Sequence, residues 1–476
     1  MSRDLPGAAK AGAAHCLAVS ALCLLLAGCG GGGGSEVALV SAPNPSPPTE
    51  SASASSGSGN KGGELTRISL SAYALTRQAA PNAGASDSEL RMLQNASLNL
   101  AINQLQASAP AGAWLGNAQA SPALSASLEQ LLRAAASGAT LAQIPSLLPN
   151  LSAARQASVS RWVQRDLWAP PGQTFSSAFL ASSDLLSGAL GLTQWRAAEA
   201  DFANGANLEF KRSLQSLLPS AMSQSSDLST LFSPPVLTRL LVLDSLRTRL
   251  QWPEGIEVAR GRFTNEKGRV GRVDMLRLRQ GVQRFQGQDF TADVLQQDEF
   301  LLVYLRPSSA SLQAFLATGL QSALLQVLNA ADAKSLVPGE LLLPLVETEL
   351  SADVAAPLLR GGLRLAQDEV NADLRGLDGG GSYARFQSPS AWLQIKASGL
   401  ELRSAHLLSL IGSEKNAYGP SYQSGSTWLE TPNLNFAGAC DAALSSSSGF
   451  LLLLDRQRMV LSLNVLADAA ATPCAQ

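Results

Sequence analysis

Histidine is nearly absent, 2 in 476 residues, and that scarcity argues against hydrolases that rely on a histidine base. A Ser-His-Asp hydrolase needs a histidine base. Beyond the leader only His406 is left, inside the apolar run Ala405 to Ile411, where a packed strand residue is expected instead of a base. GxSxG elbows, phosphate loops, CxxC pairs and paired-histidine metal spacings are all missing, so neither an enzyme nor a bound metal or cofactor is expected. The Gly/Ser tracts at 30–35, 378–382 and 445–449 read as flexible loops rather than nucleotide cradles. Charge of either sign is also scarce: 15% charged residues, 35 Lys+Arg against 37 Asp+Glu, net −2. That balance gives no electrostatic ground for a nucleic-acid partner. Apolar residues make up 46%, ample for a large core. Of the 5 cysteines, Cys16, Cys23 and Cys29 lie near the amino terminus, which leaves Cys440 and Cys474 for the folded body.

What the amino terminus does contain is an address. Arg3 and Lys10 precede an apolar run, residues 16–27, too short for a permanent membrane helix but suited to the central region of a secretion signal. It closes on Leu26-Ala27-Gly28-Cys29, which resembles a bacterial lipobox, so residues 1–29 are expected to be a signal peptide with Cys29 lipidated. Acyl chains contribute about 0.8 kcal/mol per buried methylene, enough for several on one cysteine to anchor a protein. Residues 30–64 are mostly Gly, Ser, Pro and Ala and read as a tether, with a mean reach of roughly 30 Å. No other segment is a transmembrane candidate, and the body is expected to occupy residues 65–476 as one domain.

Within that body, apolar periodicity predicts a helix over 90–105. Ser121-Pro122 caps and starts another, with Leu124, Leu128, Leu131 and Leu132 on one face, Gly138 as its stop and Thr140 capping a short successor. The run from Thr238 to Ser245, continuing to Trp252, suits a strand buried on both faces. Residues 300–307 give another core strand, and 450–455 with 459–466 a hairpin. Residues 339–377 read as a strand ending at Pro344, an extended run over 345–350, a helix over 351–360, and a Gly361-Gly362 stop.

These segments, in this order, resemble the serpins. Ser121-Pro122, Ala135, Gly138, Thr140 and Gln143-Ile144 follow that family's "serine-proline … glycine-x-threonine … glutamine-isoleucine" pattern, and Thr238 to Trp252 follows its central strand, with Asp244 and Ser245 in place of asparagine and alanine. Phe263, Gly268, Val273, Met275 and Phe285 fit its next run of strands. Ala366 and Ala372-Asp373-Leu374 keep the spacing that follows the family's helix. The resemblance covers about residues 90–466. It implies a single α+β domain with three β-sheets, eight or nine helices and an exposed reactive-centre loop near the carboxy terminus.

The family resemblance also implies a function. Inhibitory serpins offer the loop to a serine or cysteine protease and, once cleaved, insert it as a new strand, trapping the acyl-enzyme. By register that loop falls at about 413–430, with a hinge of Ser413, Glu414, Lys415, Asn416, Ala417, Tyr418, Gly419 and Pro420 and a candidate scissile bond at Trp428-Leu429, which would suit a chymotrypsin-like attacker. Pro420 lacks a ladder donor, and burying Lys415 unpaired is costly, so this hinge departs from the family's alanine-rich pattern. Two readings stand open: a monomeric protease inhibitor tethered at the bacterial envelope, acting on a secreted or periplasmic protease, or a non-inhibitory lipoprotein of that fold with a binding or structural role. Cys440 and Cys474, a pair in an exported chain, read as a disulfide, two free buried thiols being the alternative. Eight basic residues between Arg260 and Arg284, against Glu266 and Asp274, either face solvent on adjacent strands or form a polyanion site.

Overall fold

The computed structural model describes residues 65–67, 86–108, 116–148, 162–176, 179, 194–199, 202, 236–308, 311–350, 352–387, 391–413, 444–469 and 472–473. All of these belong to one compact unit, Lys61–Gln476. Strands are numbered along the chain. A short antiparallel pair joins β1 (Leu65–Arg67) to β4 (Thr174–Ser176). The second sheet takes β2 (Ala118–Ala120), β9 (Val282–Gln286), β10 (Phe290–Gln297), β11 (Phe300–Pro307), β12 (Val337–Pro338), β19 (Gly449–Asp455) and β20 (Val460–Leu466), in the order β12-β9-β10-β11-β19-β20-β2. A third holds β7 (Glu257–Thr264), β8 (Val270–Leu278), β13 (Leu341–Pro344) and β18 (Ser445–Ser447), with β21 (Thr472–Pro473) at its side. The large sheet runs β14 (Val346–Leu350), β16 (Ala391–Lys396), β17 (Gly399–Gly412), β6 (Thr238–Gln251), β3 (Val163–Ala169) and β5 (Gln194–Glu199), while β15 (Ser382–Gln387) continues the β16 side of β17. Six α-helices fall among the described residues: α1 (Asp87–Ser108), α2 (Pro122–Ala135), α3 (Gly138–Gln143), α4 (Leu312–Thr318), α5 (Leu320–Asp332) and α6 (Ala356–Arg360). The result is the expected α+β architecture with three main sheets.

The apolar runs explain the layering. β19 and β20 are buried at every position, because the second sheet is covered on both faces. Leu451 and Leu453 enter the core shared with α2 and the large sheet. Phe450, Leu452 and Leu454 enter the other, against α1, α4 and α5. Strand β6 is buried throughout Leu240–Leu246 and then alternates, so only its first half is a two-faced core strand.

Several local expectations change once tertiary partners are present. Helix α2 ends at Ala135, short of Gly138, which has φ 51° and opens α3 instead. Thr140 caps nothing: its Oγ1 accepts the Asp373 N–H at 2.8 Å, tying α3 to the chain beyond α6. Ser121 precedes α2 but its side chain bonds Ser404 Oγ at 3.0 Å rather than the helix. The helix expected over 351–360 is only Ala356–Arg360, because the Asp353 carboxylate accepts the Ala355 and Ala356 N–H groups and sets the start there. The 445–449 tract is not a flexible loop. Ser445–Ser447 pairs in parallel with β7, and the Ser446 hydroxyl donates to the Leu342 carbonyl at 3.1 Å.

Candidate functional site: the central strand at 399–412

The long strand β17 lies in the middle of the large sheet. Strand β16 ends at Lys396, a two-residue turn follows, and β17 returns antiparallel, pairing Lys396 with Gly399 and Trp392 with Arg403. On its other edge β17 is antiparallel to β6 from Gly399↔Gln251 to Ile411↔Thr238. Each strand beside β17 runs against it, so β16 and β6 run parallel to one another with β17 as the strand between them. The reversal needs Gly399: φ is 157°, and a Cβ there would overlap the Leu250 carbonyl oxygen.

Alternate side chains of β17 point into the core beneath α2, namely Leu400, Leu402, Ser404, His406, Leu408 and Leu410, each at most 2% exposed. Within that face runs one polar row. Arg165 of β3, Asp244 of β6 and His406 of β17 are direct cross-strand neighbours. Arg165 donates to both Asp244 carboxylate oxygens, at 2.7 and 2.8 Å, and the Ser127 hydroxyl of α2 donates to the same carboxylate at 2.9 Å. Burial pushes the His406 imidazole down to about 4, the nearby Asp244 charge opposing it. A histidine so held is neutral and closed to solvent, as expected of a packed strand residue.

The far end of β17 is locked separately. Gly412 N–H donates to the Leu237 carbonyl at 2.9 Å, Ser413 N–H to the Gly381 carbonyl at 3.1 Å, and Arg239 pairs with Asp378 at 2.6 Å. The Arg239 guanidinium passes so close to Gly412 that a side chain there would collide with it.

Of the sequence-derived loop, Ser413 is therefore the residue that directly follows β17. Glu414, Lys415, Asn416, Ala417, Tyr418, Gly419, Pro420, Trp428 and Leu429 lie outside the described residues, as do Cys29, Cys440 and Cys474. Four of the eight basic residues are paired with acids: Arg260 with Asp274 at 3.4 Å, Arg277 with Glu340 and with Glu257 at 3.5 Å, Arg279 with Glu340 at 3.3 Å, and Arg284 with buried Asp293 at 2.6 Å. Of the acids that pair with the basic segment, Asp274 lies within it, whereas Glu257, Asp293 and Glu340 lie outside it in sequence. Among the described residues no cluster of His, Cys, Asp or Glu could hold a metal ion.

No family model and no curated protein matches the chain in sequence. Solved structures do. The chain is similar to cleaved Serpin 42Da, at 12% identity over 80% of this chain and 99% of that one, TM-score 0.57. The chain has the serpin fold. A thermophilic serpin, tengpin, in its latent state is similar at 13% identity over 82% of this chain and 100% of that one, TM-score 0.56. A loop-inserted cleaved ovalbumin shares 11% over 79% and 99%, TM-score 0.56. Sequence reading recognised only the second half of β17, the apolar run Ala405 to Ile411, and passed over its first half and the turn before it. Its signal was present. AWLQIK and LELRS alternate apolar and polar positions on either side of Ala397-Ser398-Gly399, a hairpin signature.

Proposed function

We propose that this protein is a non-inhibitory serpin-fold protein whose large sheet is closed by its own segment 399–412, acting as a stable binding or structural module held at the bacterial envelope through Cys29. The observation that carries this reading is the position of β17, antiparallel to both of its neighbours and buried along its length. A trap needs an exposed segment and a place in the sheet for it to enter. Here an uncleaved segment occupies the place that insertion fills.

The composition of β17 argues that it stays there. An exposed reactive loop must be tolerable in water, whereas Leu400, Leu402, Leu407, Leu408, Leu410 and Ile411 are all at most 2% exposed. Returning six such side chains to solvent, at about 2 kcal/mol each, costs on the order of 10 kcal/mol, comparable to the whole stability of a typical domain. Cleaved, latent and loop-inserted states are the named conformations of the three similar structures above, which supports treating 399–412 as the inserted-strand equivalent. Residues 414–430 then follow the strand instead of supplying it.

Incubation of the purified protein with a panel of serine and cysteine proteases tests the proposal. Cleavage without any SDS-resistant complex is expected. A covalent complex with any of them, at near-stoichiometric yield, would establish a protease inhibitor and end the proposal.

A further inference from the structure

The polar row beneath α2 gives β17 a chemical property its neighbours lack. We propose that the seating of β17 in the large sheet is linked to proton binding at His406, so that acid loosens this strand ahead of the rest of the fold. The inference rests on the reading above that 399–412 is the strand that closes the sheet.

Arg165, Asp244 and His406 stand side by side on β3, β6 and β17, at 2%, 2% and 1% exposure. Directly opposed residues share one face of a sheet, so all three project beneath α2. The Asp244 carboxylate is already matched by the two-pronged contact from Arg165 and by the Ser127 hydroxyl. A proton on His406 would therefore add a charge to a balanced buried pair.

Charged groups on the described elements packed around His406 are engaged elsewhere or stand on the other face. On α2, Glu129 and Arg133 bond each other at 2.7 Å and turn to the Leu147 N–H and the Ile144 carbonyl. Arg385 of β15 stands opposite Ser409, and Lys396 of β16 opposite Gly399, both on the other face. Arg247 and Arg403 also stand on that face, where Glu401 pairs with both. The Phe386 ring, centred 6.2 Å from the imidazole, supplies apolar cover. Among the described residues, Asp244 and, behind it, Arg165 are thus the charged groups that face His406.

The direction follows from where the proton is held. His406 has an ordinary value of 6.5 and sits near 4 when buried, so the released strand binds the proton more tightly than the seated one. Stabilisation of the seated strand is complete above about pH 6.5 and is lost as pH falls toward 4. At pH 5 that favours release by roughly 30-fold relative to pH 7.5.

Hydrogen exchange of the full chain, compared at pH 7.5 and 5.0 after correction for intrinsic rates, tests this. Amides of 399–412 are expected to lose roughly 30-fold in protection while those of β11 and β20 do not, and His406→Asn and His406→Leu should each abolish the difference. An unchanged pH effect in either variant, or none in the parent, overturns the proton link while leaving β17 as a strand. Fast exchange across 399–412 already at pH 7.5 would instead remove the reading on which the link depends. Should neither variant fold, His406, the one imidazole of the chain from Cys29 onward, can be followed by NMR in the unaltered protein. Its signal should stay neutral down to about pH 5, and an ordinary titration near 6.5 would refute the proposal.

Discussion

Replacing Arg165 with methionine should be among the most damaging single changes in the molecule. The guanidinium is 2% exposed and donates to both oxygens of an equally buried carboxylate, as well as to the Ser127 carbonyl at 3.0 Å and hydroxyl at 2.6 Å. Removing it leaves the Asp244 charge in the core with the Ser127 hydroxyl as its remaining hydrogen bond from α2. Breaking one side of such a pair costs about 3–5 kcal/mol, whereas replacing both partners by apolar groups of similar volume is often close to neutral. Asp244→Leu alone should therefore also be severe, and Arg165→Met with Asp244→Leu together should recover most of the loss, giving a coupling of about 2–3 kcal/mol or more in a double-mutant cycle. Urea unfolding followed by circular dichroism supplies the four stabilities, provided the slopes agree. Single variants that each cost less than about 1 kcal/mol, or a double variant as unstable as the sum of the singles, would refute the claim that this pair is a closed, mutually dependent unit.

Other expectations follow from separate parts of the chain. Leu410→Ala, at a fully buried position of β17, should cost about 2–5 kcal/mol in the same unfolding assay, as a core strand position does and a solvent-exposed loop position would not. Cys29→Ala should move the protein from the membrane to the soluble fraction on cell fractionation, and unchanged membrane association would rule out lipidation as the anchor. A bridge between Cys440 and Cys474 would close a loop of about 33 residues and contribute on the order of 3–4 kcal/mol; non-reducing peptide mapping should recover the linked pair, and alkylatable thiols at both positions would dismiss it.

Long, one-signal segments were legible in the sequence. The two-faced strands β6 and β11, the hairpin β19–β20 and the helices α1 and α2 all rest on apolar pattern, which survives whatever the partners are. Side chains with a choice of partner were not. Ser121 and Thr140 have the chemistry of helix caps, but each found a better-placed group far away in sequence, Ser404 and the Asp373 N–H. Ser446 and its neighbours read as loop by composition and became a strand because β7 and the Leu342 carbonyl offered them bonds. The site itself was half legible. The polar members Asp244 and His406 could be singled out, and His406 was correctly expected to be packed. Arg165, the partner that makes the row coherent, gave no signal, since only a β3–β6 pairing between residues distant in sequence brings it there. The loop was placed by register directly after the apolar strand ending at Ile411, which passed over the turn at Ala397-Ser398 that makes 399–412 the returning strand.

The central claim is that the large sheet is already complete in the uncleaved chain. It is tested most directly by the melting temperature before and after limited proteolysis within residues 414–430. A filled sheet predicts the same transition in both samples, because cleavage beyond Ser413 releases no strand to insert; a large upward shift after cleavage would show a strand entering the sheet only then and would contradict the account.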